Sequence, residues 1–227
     1  MVMARLSSAD TKRRLTAATL EVVAKEGVEG ATTARIAEAA GLSPAALYKH
    51  FATRNDLLVA SLDTLYDTIH DTLLDSSSEP NVVDRLRTIG RLHSDLIVSG
   101  RGSFIYPLFE FLAAPPESGL REAQGVRQLQ MIQSVAQIVE EGKARGDIGP
   151  DVDSEQVAWE LHAVWWAEDI SHLMGLDQFV TAGRSSTIVN NILGRLSSRP
   201  PALEQDADPE KLRRLLELCP LVNKPTR

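Results

Sequence analysis

The sequence predicts an all-α protein. Apolar residues recur at helical spacing in most segments, Gly and Pro separate those segments, and no stretch alternates apolar with polar residues as a half-buried strand would. The chain has 227 residues, of which 43% are hydrophobic and 24% charged, which is typical of a globular protein with a sizeable core. This length accommodates one large or two small domains.

Two helices are expected before residue 41. The first presents one apolar stripe and ends near Gly27 and Gly30. The second begins at Thr32 or Thr33, either of which could be its N-cap, and ends at Gly41. The stripe of the first helix consists of Leu15, Ala18, Thr19, Val22 and Val23.

The third and fourth helices have clear start signals. Ser43 is a favourable N-cap, and Pro44 occupies the first helical position, where its missing N–H has no acceptor to lose. Thr53 and Asp56 form a capping box that begins a long helix reaching about residue 75.

Longer helices are predicted from residue 80 onward. An aromatic-rich helix that begins near Phe104 should be interrupted by Pro107 and ended by Pro115 and Pro116. The others cover about 80–99, 117–145, 155–176, 177–197 and 208–219. One face of the 80–99 helix carries Leu86, Ile89, Leu92, His93 and Leu96.

The second and third helices, joined by a tight turn that contains Gly41, form a helix-turn-helix pattern. Leu47 and Phe51 stand four residues apart and should face inward. The second helix would meet them with Ile36, Ala37 and Ala40. The outward face then carries short or polar side chains, which suits close approach to a DNA groove.

Nine residues of this region are candidates for contact with DNA. Ser43, Tyr48 and His50 can donate hydrogen bonds to phosphate oxygens, and Lys49 can reach a base acceptor or a phosphate. Two alanines could touch a thymine methyl, and the remaining residues would hold the flanking backbone. The full set is Thr33, Arg35, Ser43, Ala45, Ala46, Tyr48, Lys49, His50 and Arg54.

The charge distribution is compatible with an N-terminus that contacts a polyanion. Residues 1–60 contain 8 Lys and Arg against 6 Asp and Glu, whereas residues 61–227 contain 16 against 25, within a net charge of −7. A mildly basic segment on an acidic body permits local contact with a polyanion. The lone Cys219 has no internal disulfide partner, and no signal peptide or membrane-spanning stretch is evident. These features predict a cytoplasmic protein with no membrane partner.

The run TTARIAEAAGLSPAALYKHFATRNDLL resembles the DNA-binding domain of the TetR/AcrR family of bacterial transcriptional regulators. It departs from the pattern at Pro44-Ala45-Ala46, where many relatives carry Lys or Gly plus a polar residue. The resemblance covers about residues 9–69. The matching positions are Thr32, Thr33, Ile36, Ala37, Ala40, Gly41, Leu47, Tyr48, His50, Phe51, Arg54, Leu57 and Leu58.

The resemblance implies three segments: a DNA-binding domain over 9–69 with its motif at about 32–51, a helical ligand-binding and dimerisation domain over 70–199, and a C-terminal extension over 200–227. It also implies a homodimeric repressor that binds double-stranded, palindromic operator DNA and is released by a small hydrophobic effector. Two alternatives are an activator of the same fold and a helical binding or enzymatic protein that retains this N-terminal domain.

The 155–176 segment supports a dimer independently, because it is apolar on more than one face and so has two faces to bury. The segment after it offers small residues for close helix contact. We expect a four-helix interface made of these two helices from each subunit. The apolar residues of the first helix are Trp159, Leu161, Val164, Trp165, Trp166, Ile170, Leu173 and Met174. The second helix offers the small residues Ala182, Gly183, Ser185 and Ser186, followed by the apolar residues Ile188, Ile192 and Leu196.

Candidate effector-binding residues are aromatic side chains with a few polar anchors, the usual composition of a small-molecule pocket. The alternative interpretation is that the aromatic residues only build the core. The set is His93, Phe104, Tyr106, Phe109, His162, Trp165, Trp166 and Asp169.

The sequence predicts no enzyme, cofactor or metal site. It contains no Ser-His-Asp arrangement, phosphate loop or dinucleotide fingerprint. Glu168 and Asp169 are spaced to meet His172 on one helix, but no cysteine ligands or HExxH pattern accompany them.

Overall fold

The computed structural model describes residues 7–74, 79–101 and 105–196. Within these ranges it contains helices and no strand, which confirms the all-α class. A π-helical turn, Ile97–Arg101, follows α5, and a 3-10 turn, Pro116–Ser118, precedes α7. The α-helices are α1 (Ser8–Gly30), α2 (Thr33–Ala40), α3 (Pro44–Tyr48), α4 (Arg54–Leu73), α5 (Val82–Leu96), α6 (Ile105–Ala113), α7 (Leu120–Arg145), α8 (Ser154–Leu173), α9 (Gln178–Thr181) and α10 (Arg184–Gly194).

The described residues form two compact units. The first comprises those up to residue 67 together with 105–127, and the second comprises 68–101 without the gap at 75–78, together with 128–196. Helices α4 and α7 therefore each contribute residues to both units. The three predicted functional segments, with boundaries near 69 and 199, stay a prediction.

In the first unit α1 packs against α2 and α6, and α2 packs against α3. The predicted stripe of α1 is buried throughout, which confirms that face of the helix. Gly27 adopts a left-handed φ of 73° and kinks the last turn of α1, which then continues to Gly30.

The predicted helix starts of the first unit are confirmed. The Thr32 hydroxyl accepts the Arg35 N–H at 3.3 Å, and the Ser43 hydroxyl accepts the Ala46 N–H at 3.2 Å. In the capping box, Asp56 N–H donates to Thr53 Oγ1 at 3.1 Å and Thr53 N–H donates to Asp56 Oδ2 at 2.9 Å. These bonds satisfy backbone donors that have no intrahelical acceptor.

In the second unit α5, α8 and α10 pack together. All five residues predicted on the inner face of α5 are buried, including His93. Asp153 caps α8 by accepting the Gln156 N–H at 3.0 Å.

Two element predictions are wrong. Pro107 does not interrupt α6, because it is the third residue of that helix, where a backbone N–H has no intrahelical acceptor. The helix expected over 177–197 is two helices, α9 and α10, since Gly183 between them has a left-handed φ of 70°. The helix predicted over 208–219, with Cys219, lies outside the described residues.

Candidate nucleic-acid interface and buried histidine cluster

Helix α3 is anchored on one side and exposed on the other. Leu47 is fully buried and Phe51 is 9% exposed, and the α2 residues predicted to meet them are buried as well. Phe51 N–H donates to Leu47 O at 3.1 Å, which carries the backbone turn past the end of α3. The inward face of the helix-turn-helix pattern is therefore confirmed.

The outward face of α3 carries the side chains predicted to contact DNA. Tyr48 is 53% exposed, and Ser43, Ala45 and Lys49 are exposed too. Because the Ser43 oxygen accepts the Ala46 N–H, its hydroxyl hydrogen can still be donated to a phosphate. Ala46 and His50 are half-buried at the edges of this face.

Arg35 and Arg54 have partners within the first unit. Arg35 bonds both carboxylate oxygens of Glu26, at 2.5 and 3.1 Å, and lies 3.1 Å from Glu38. The hydrogen bond from Arg35 lowers the pKa of Glu26. Arg54 Nε donates to Ala31 O at 2.6 Å, and Arg54 Nη2 donates to Val28 O.

Thr33 is the half-buried first residue of α2, next to the N-cap Thr32. Contact of DNA with Thr33, the two arginines and the α3 residues stays a prediction. What the structure establishes is their placement around one exposed helix.

Five of the predicted effector-binding residues come together in the second unit. His93 Nδ1–H donates to Glu168 Oε2 at 2.7 Å, and His93 Nε2 lies 3.3 Å from Asp169 Oδ1. Ser94 Oγ donates to the other Glu168 oxygen at 2.6 Å. The His93 ring stacks on Trp165 with centroids 5.8 Å apart. We call His93, His162, Trp165, Trp166, Glu168 and Asp169 the His93 cluster.

His162 completes this cluster from the other side of Trp165. Its ring meets Trp165 and Trp166 edge-on, with centroids 5.9 and 4.8 Å away. Its Nε2 lies 2.8 Å from Gln128 Oε1, an oxygen that can only accept, so Nε2 carries the proton. In the neutral tautomer Nδ1 is then a bare acceptor, and it has no partner among the described residues.

The two histidines of the cluster have opposite pKa shifts. Burial alone lowers the pKa of His93, but the charge of Asp169 and the bond to Glu168 outweigh it and raise that pKa to about 10. Burial, aided by the nearby His93 charge, lowers the pKa of His162 to about 4. The cluster therefore holds a charged His93 and a neutral His162 at neutral pH.

The remaining effector-binding candidates lie elsewhere. Tyr106 and Phe109 belong to α6 in the first unit, and Phe104 lies outside the described residues. A cavity of about 40 Å³ between α5 and α10 is lined by none of the predicted residues. It is far smaller than the roughly 300 Å³ that a drug-sized ligand needs. Its lining consists of Arg87, Gly90, Arg91, Ser94, Ser186, Val189 and Asn190.

Sequence reasoning missed Ser94, Gln128 and Ser185 as partners of the cluster; Ser185, which also bonds Glu168, was expected only at the subunit interface. Ser94 and Gln128 have no local signal, since Ser94 meets a residue 74 positions away and Gln128 meets one 34 positions away. The sequence pointed to Glu168 only as a possible partner of His172, four residues later on α8. In the structure His172 Nδ1 instead lies 2.7 Å from Asp177 Oδ1.

Helix α3 is capped at Ser43, packs against α2 through Leu47 and is exposed along its other face. These features define a DNA-binding protein of the helix-turn-helix class. Residues 15–60 match the family described as bacterial regulatory proteins, tetR family. This N-terminal segment is therefore of the TetR type, and the chain is a transcriptional regulator similar to members of that family.

Individual proteins that resemble this chain are also TetR-family or HTH-type transcriptional regulators. The HTH-type transcriptional regulator TtgR of Pseudomonas putida is 26% identical over 162 residues, which cover 68% of this chain and 76% of TtgR. The TetR-family regulator of Cytophaga hutchinsonii has a similar fold, with a TM-score of 0.71 and 17% identity over 87% of this chain and 100% of that one. TylP of Streptomyces fradiae, a TetR regulator, gives a TM-score of 0.70 and 19% identity over 95% and 100% of the two chains.

None of the helices in the described ranges combines the length and the apolar character that crossing a membrane requires.

Proposed function

We propose that this regulator is a cytoplasmic homodimeric repressor that binds a palindromic operator through α3 and leaves it when a small hydrophobic effector binds. The exposed face of α3, with Ala45, Tyr48 and Lys49 beside the buried anchor Leu47, carries the proposal. Two such helices related by a two-fold axis would enter major grooves one DNA turn apart, about 34–36 Å. The proposal assigns the chain no catalytic activity, cofactor or metal.

Release by an effector requires that the effector prefer the conformation that binds DNA poorly. Strong switching requires a difference in binding free energy of several kcal/mol between the two conformations. Helix α4 follows α3 in the chain and contributes residues to both units, so a change in the second unit has a continuous helical path towards the DNA-binding residues. Ligand-responsive repression is typical of the family.

The His93 cluster is the proposed site of effector contact. Its rings offer apolar contact area, and Trp165 Nε1 and His162 Nδ1 are buried polar atoms without hydrogen-bond partners among the described residues. A buried donor and a buried acceptor left unpaired are costly, so a ligand that satisfies both gains affinity. Tryptophan fluorescence reports on this site, because two of the chain's three Trp residues belong to the cluster.

The DNA-binding part is tested with a duplex selected by the wild-type protein from a random-sequence pool. Lys49→Ala should weaken binding by about 5- to 150-fold for each half-site, the equivalent of about 1–3 kcal/mol for each lost base contact, and should relax sequence preference at one position of each half-site. Tyr48→Phe removes one phosphate donor and should weaken binding to all duplexes alike. Fluorescence anisotropy measures both effects.

The matched control is Lys25→Ala, because Lys25 is exposed on α1 and pairs with Glu21. It removes the same charge as Lys49→Ala and should leave affinity unchanged. Wild-type affinity in both Tyr48→Phe and Lys49→Ala would show that the site assignment is wrong. A compound that quenches the cluster's fluorescence at saturation and leaves operator affinity unchanged would contradict effector release, and a reporter assay separates repression from activation.

A further inference from the structure

The guanidinium of Arg14 lies against the turn that leads into α3. Arg14 Nη2 is 3.0 Å from the point where a side chain at Gly41 would begin, so the missing Cβ of this glycine leaves the space that the arginine occupies. Gly41 has a left-handed φ of 62°, which also favours glycine at this position. Both the contact with Arg14 and the left-handed backbone therefore require glycine at position 41.

The charge of Arg14 is not neutralised within the described part of the chain. No hydrogen bond or ion pair joins its side chain to another described residue, and the side chain is exposed. Its neighbour Arg13 differs, because Arg13 forms an ion pair with Asp10 one helical turn earlier. The two arginines are adjacent in sequence and carry equal charge, but only Arg14 lies beside the helix-turn-helix.

A second cation of α1 lies at the other end of α3. The Lys12 ammonium is 6.0 Å from the centre of the Phe51 ring, and Phe51 lies three residues beyond the end of α3. Ser8 Oγ, one turn earlier on α1, is 3.4 Å from His50 Nδ1. In an α-helix positions 12 and 14 point about 200° apart, so they straddle the buried stripe at Thr11 and Leu15.

We infer that Arg14 and Lys12 contact the phosphates on either side of the groove that α3 enters, so that the DNA interface extends to α1. The inference rests on the proposed DNA contact by α3. Helix α3 has five residues and is about 7.5 Å long, whereas the major groove is about 12 Å wide. Arg14 beside Gly41 and Lys12 beside Phe51 place one cation near each end of this short helix, where each can meet a phosphate of the backbones that border the groove.

Contacts of this kind fix the position of α3 and carry no sequence information. Each phosphate that a cation neutralises releases condensed counterions, which makes binding depend on salt with a slope of about −0.9 in log K against log salt concentration. Arg14 and Lys12 would therefore contribute to affinity on every duplex, and their contribution would appear in the salt dependence.

The test compares Arg14→Ala, Lys12→Ala and Arg13→Ala on the selected duplex and on a scrambled duplex of the same length, across a series of salt concentrations. For a dimer with two DNA-binding domains, Arg14→Ala and Lys12→Ala should each reduce the salt slope by about 1.8. Affinity should fall by the same factor on both duplexes. Arg13→Ala removes an equal charge beside an exposed ion pair and should keep the wild-type slope.

Arg14→Lys separates charge from packing against Gly41. It keeps the positive charge and should retain the wild-type slope, whereas a role limited to the shape of the turn would make it behave like Arg14→Ala. Circular dichroism melting of each variant should match the wild type, since these side chains are exposed.

The inference is overturned if wild-type protein binds the selected duplex and Arg14→Ala keeps the same salt slope, or if Arg13→Ala loses as much slope as Arg14→Ala. In both cases the proposed function stands. A wild-type protein that enriches no duplex from the pool overturns the proposed function together with the inference.

Discussion

At the scale of single residues, His93 is the most unusual group in the second unit. It is buried between Glu168 and Asp169, so one imidazolium and two carboxylates have left water together. Such an arrangement persists only because the charges compensate one another's desolvation, and removal of one partner leaves the others without that compensation. The histidine is therefore important for stability whatever its role in effector binding.

The first prediction concerns His93→Gln. The variant should lose about 3–5 kcal/mol of unfolding free energy at pH 7, because two buried carboxylates lose their cation. The pKa of His93 is raised from 6.5 to about 10, so its contribution is complete below pH 6.5 and is lost as the pH rises towards 10. Urea unfolding at pH 6.5, 8 and 9.5 measures both the loss and its pH dependence.

The wild type should lose stability over this alkaline range, and His93→Gln should not show that loss. His162 acts on the acid side, since its folded pKa of about 4 makes stability fall as the pH drops from 6.5 to 4. His70→Gln is the control, because the His70 side chain is 39% exposed. An alkaline loss of equal size in wild type and His93→Gln would contradict the assignment.

The sequence anticipated part of this site for a physical reason. Helical periodicity placed His93 on the inner face of α5, and that face is buried. Its partners could not be predicted, because Glu168 and Asp169 meet it across about 75 residues of chain, and the packing of α5 on α8 decides which side chains touch. Local sequence patterns show which face of a helix is buried, but they do not show which other helix packs against that face.

At the scale of elements, the end of α1 is held by residues from two other helices. Arg54 at the start of α4 donates to the carbonyls of Ala31 and Val28 at the C-terminal end of α1, where carbonyl oxygens lack the regular intrahelical donors. Glu110 of α6 accepts the Val28 N–H at 3.3 Å, close to the left-handed Gly27. The kink at Gly27 thus exposes backbone groups that α4 and α6 satisfy.

Arg54→Ala should therefore destabilise the fold as well as alter DNA binding. Two charged hydrogen bonds to half-buried carbonyls are lost, and we expect a decrease of about 2–3 kcal/mol in unfolding free energy. Arg54→Lys should recover only part of it, because a lysine cannot reproduce the two-pronged geometry. Urea unfolding in the absence of DNA measures the effect.

Arg195→Ala provides the comparison for Arg54→Ala, since Arg195 forms an exposed ion pair with Glu160 that is worth less than about 1 kcal/mol. If Arg54→Ala lowers DNA affinity and leaves unfolding unchanged, Arg54 serves DNA contact alone, and the structural role argued here is wrong.

The elements also show where sequence reasoning succeeds and fails. The starts of α2, α3 and α4 were predictable, because Thr32, Ser43 and Thr53 each accept a backbone N–H only three residues away. The break between α9 and α10 was missed, because Gly183 stands among other small residues. In the sequence such a glycine is equally consistent with a helix break and with close packing of two helices. Only its left-handed φ distinguishes the two interpretations.

At the scale of the whole molecule, α8 has an exposed face that is apolar over almost its entire length. Trp159 and Met174 are 48% and 61% exposed, and Ala163, Ala167 and Ile170 between them are exposed as well. These residues recur at spacings of three or four, so they form one stripe along the helix. A continuous exposed apolar surface of this kind is typical of a protein–protein interface.

The second helix predicted for that interface, α10, exposes fewer apolar side chains than expected. Ile192 and Leu196 are each only 6% exposed, so they pack within the unit, and Ile188 is the exposed one of the three. The homodimer, as part of the proposed function, therefore depends chiefly on the α8 stripe.

The last prediction is that Ala163→Glu or Ala167→Glu converts the dimer to a monomer. Each places a charge in the middle of the stripe, and burying an unpaired carboxylate against a partner costs more than a single apolar contact returns. Both positions are exposed within the protomer, so folding of the single chain should be unaffected. Size-exclusion chromatography with light scattering should give the mass of one chain for the variants and of two for the wild type.

The matched control is Gln137→Glu, which adds the same group at an exposed position of α7 and should leave the mass of two chains unchanged. Loss of the dimer should also weaken operator binding strongly, because two linked α3 helices no longer engage both half-sites at once. Variants that keep the mass of two chains would show that subunits associate through another surface, and the α8 stripe would then need a different partner.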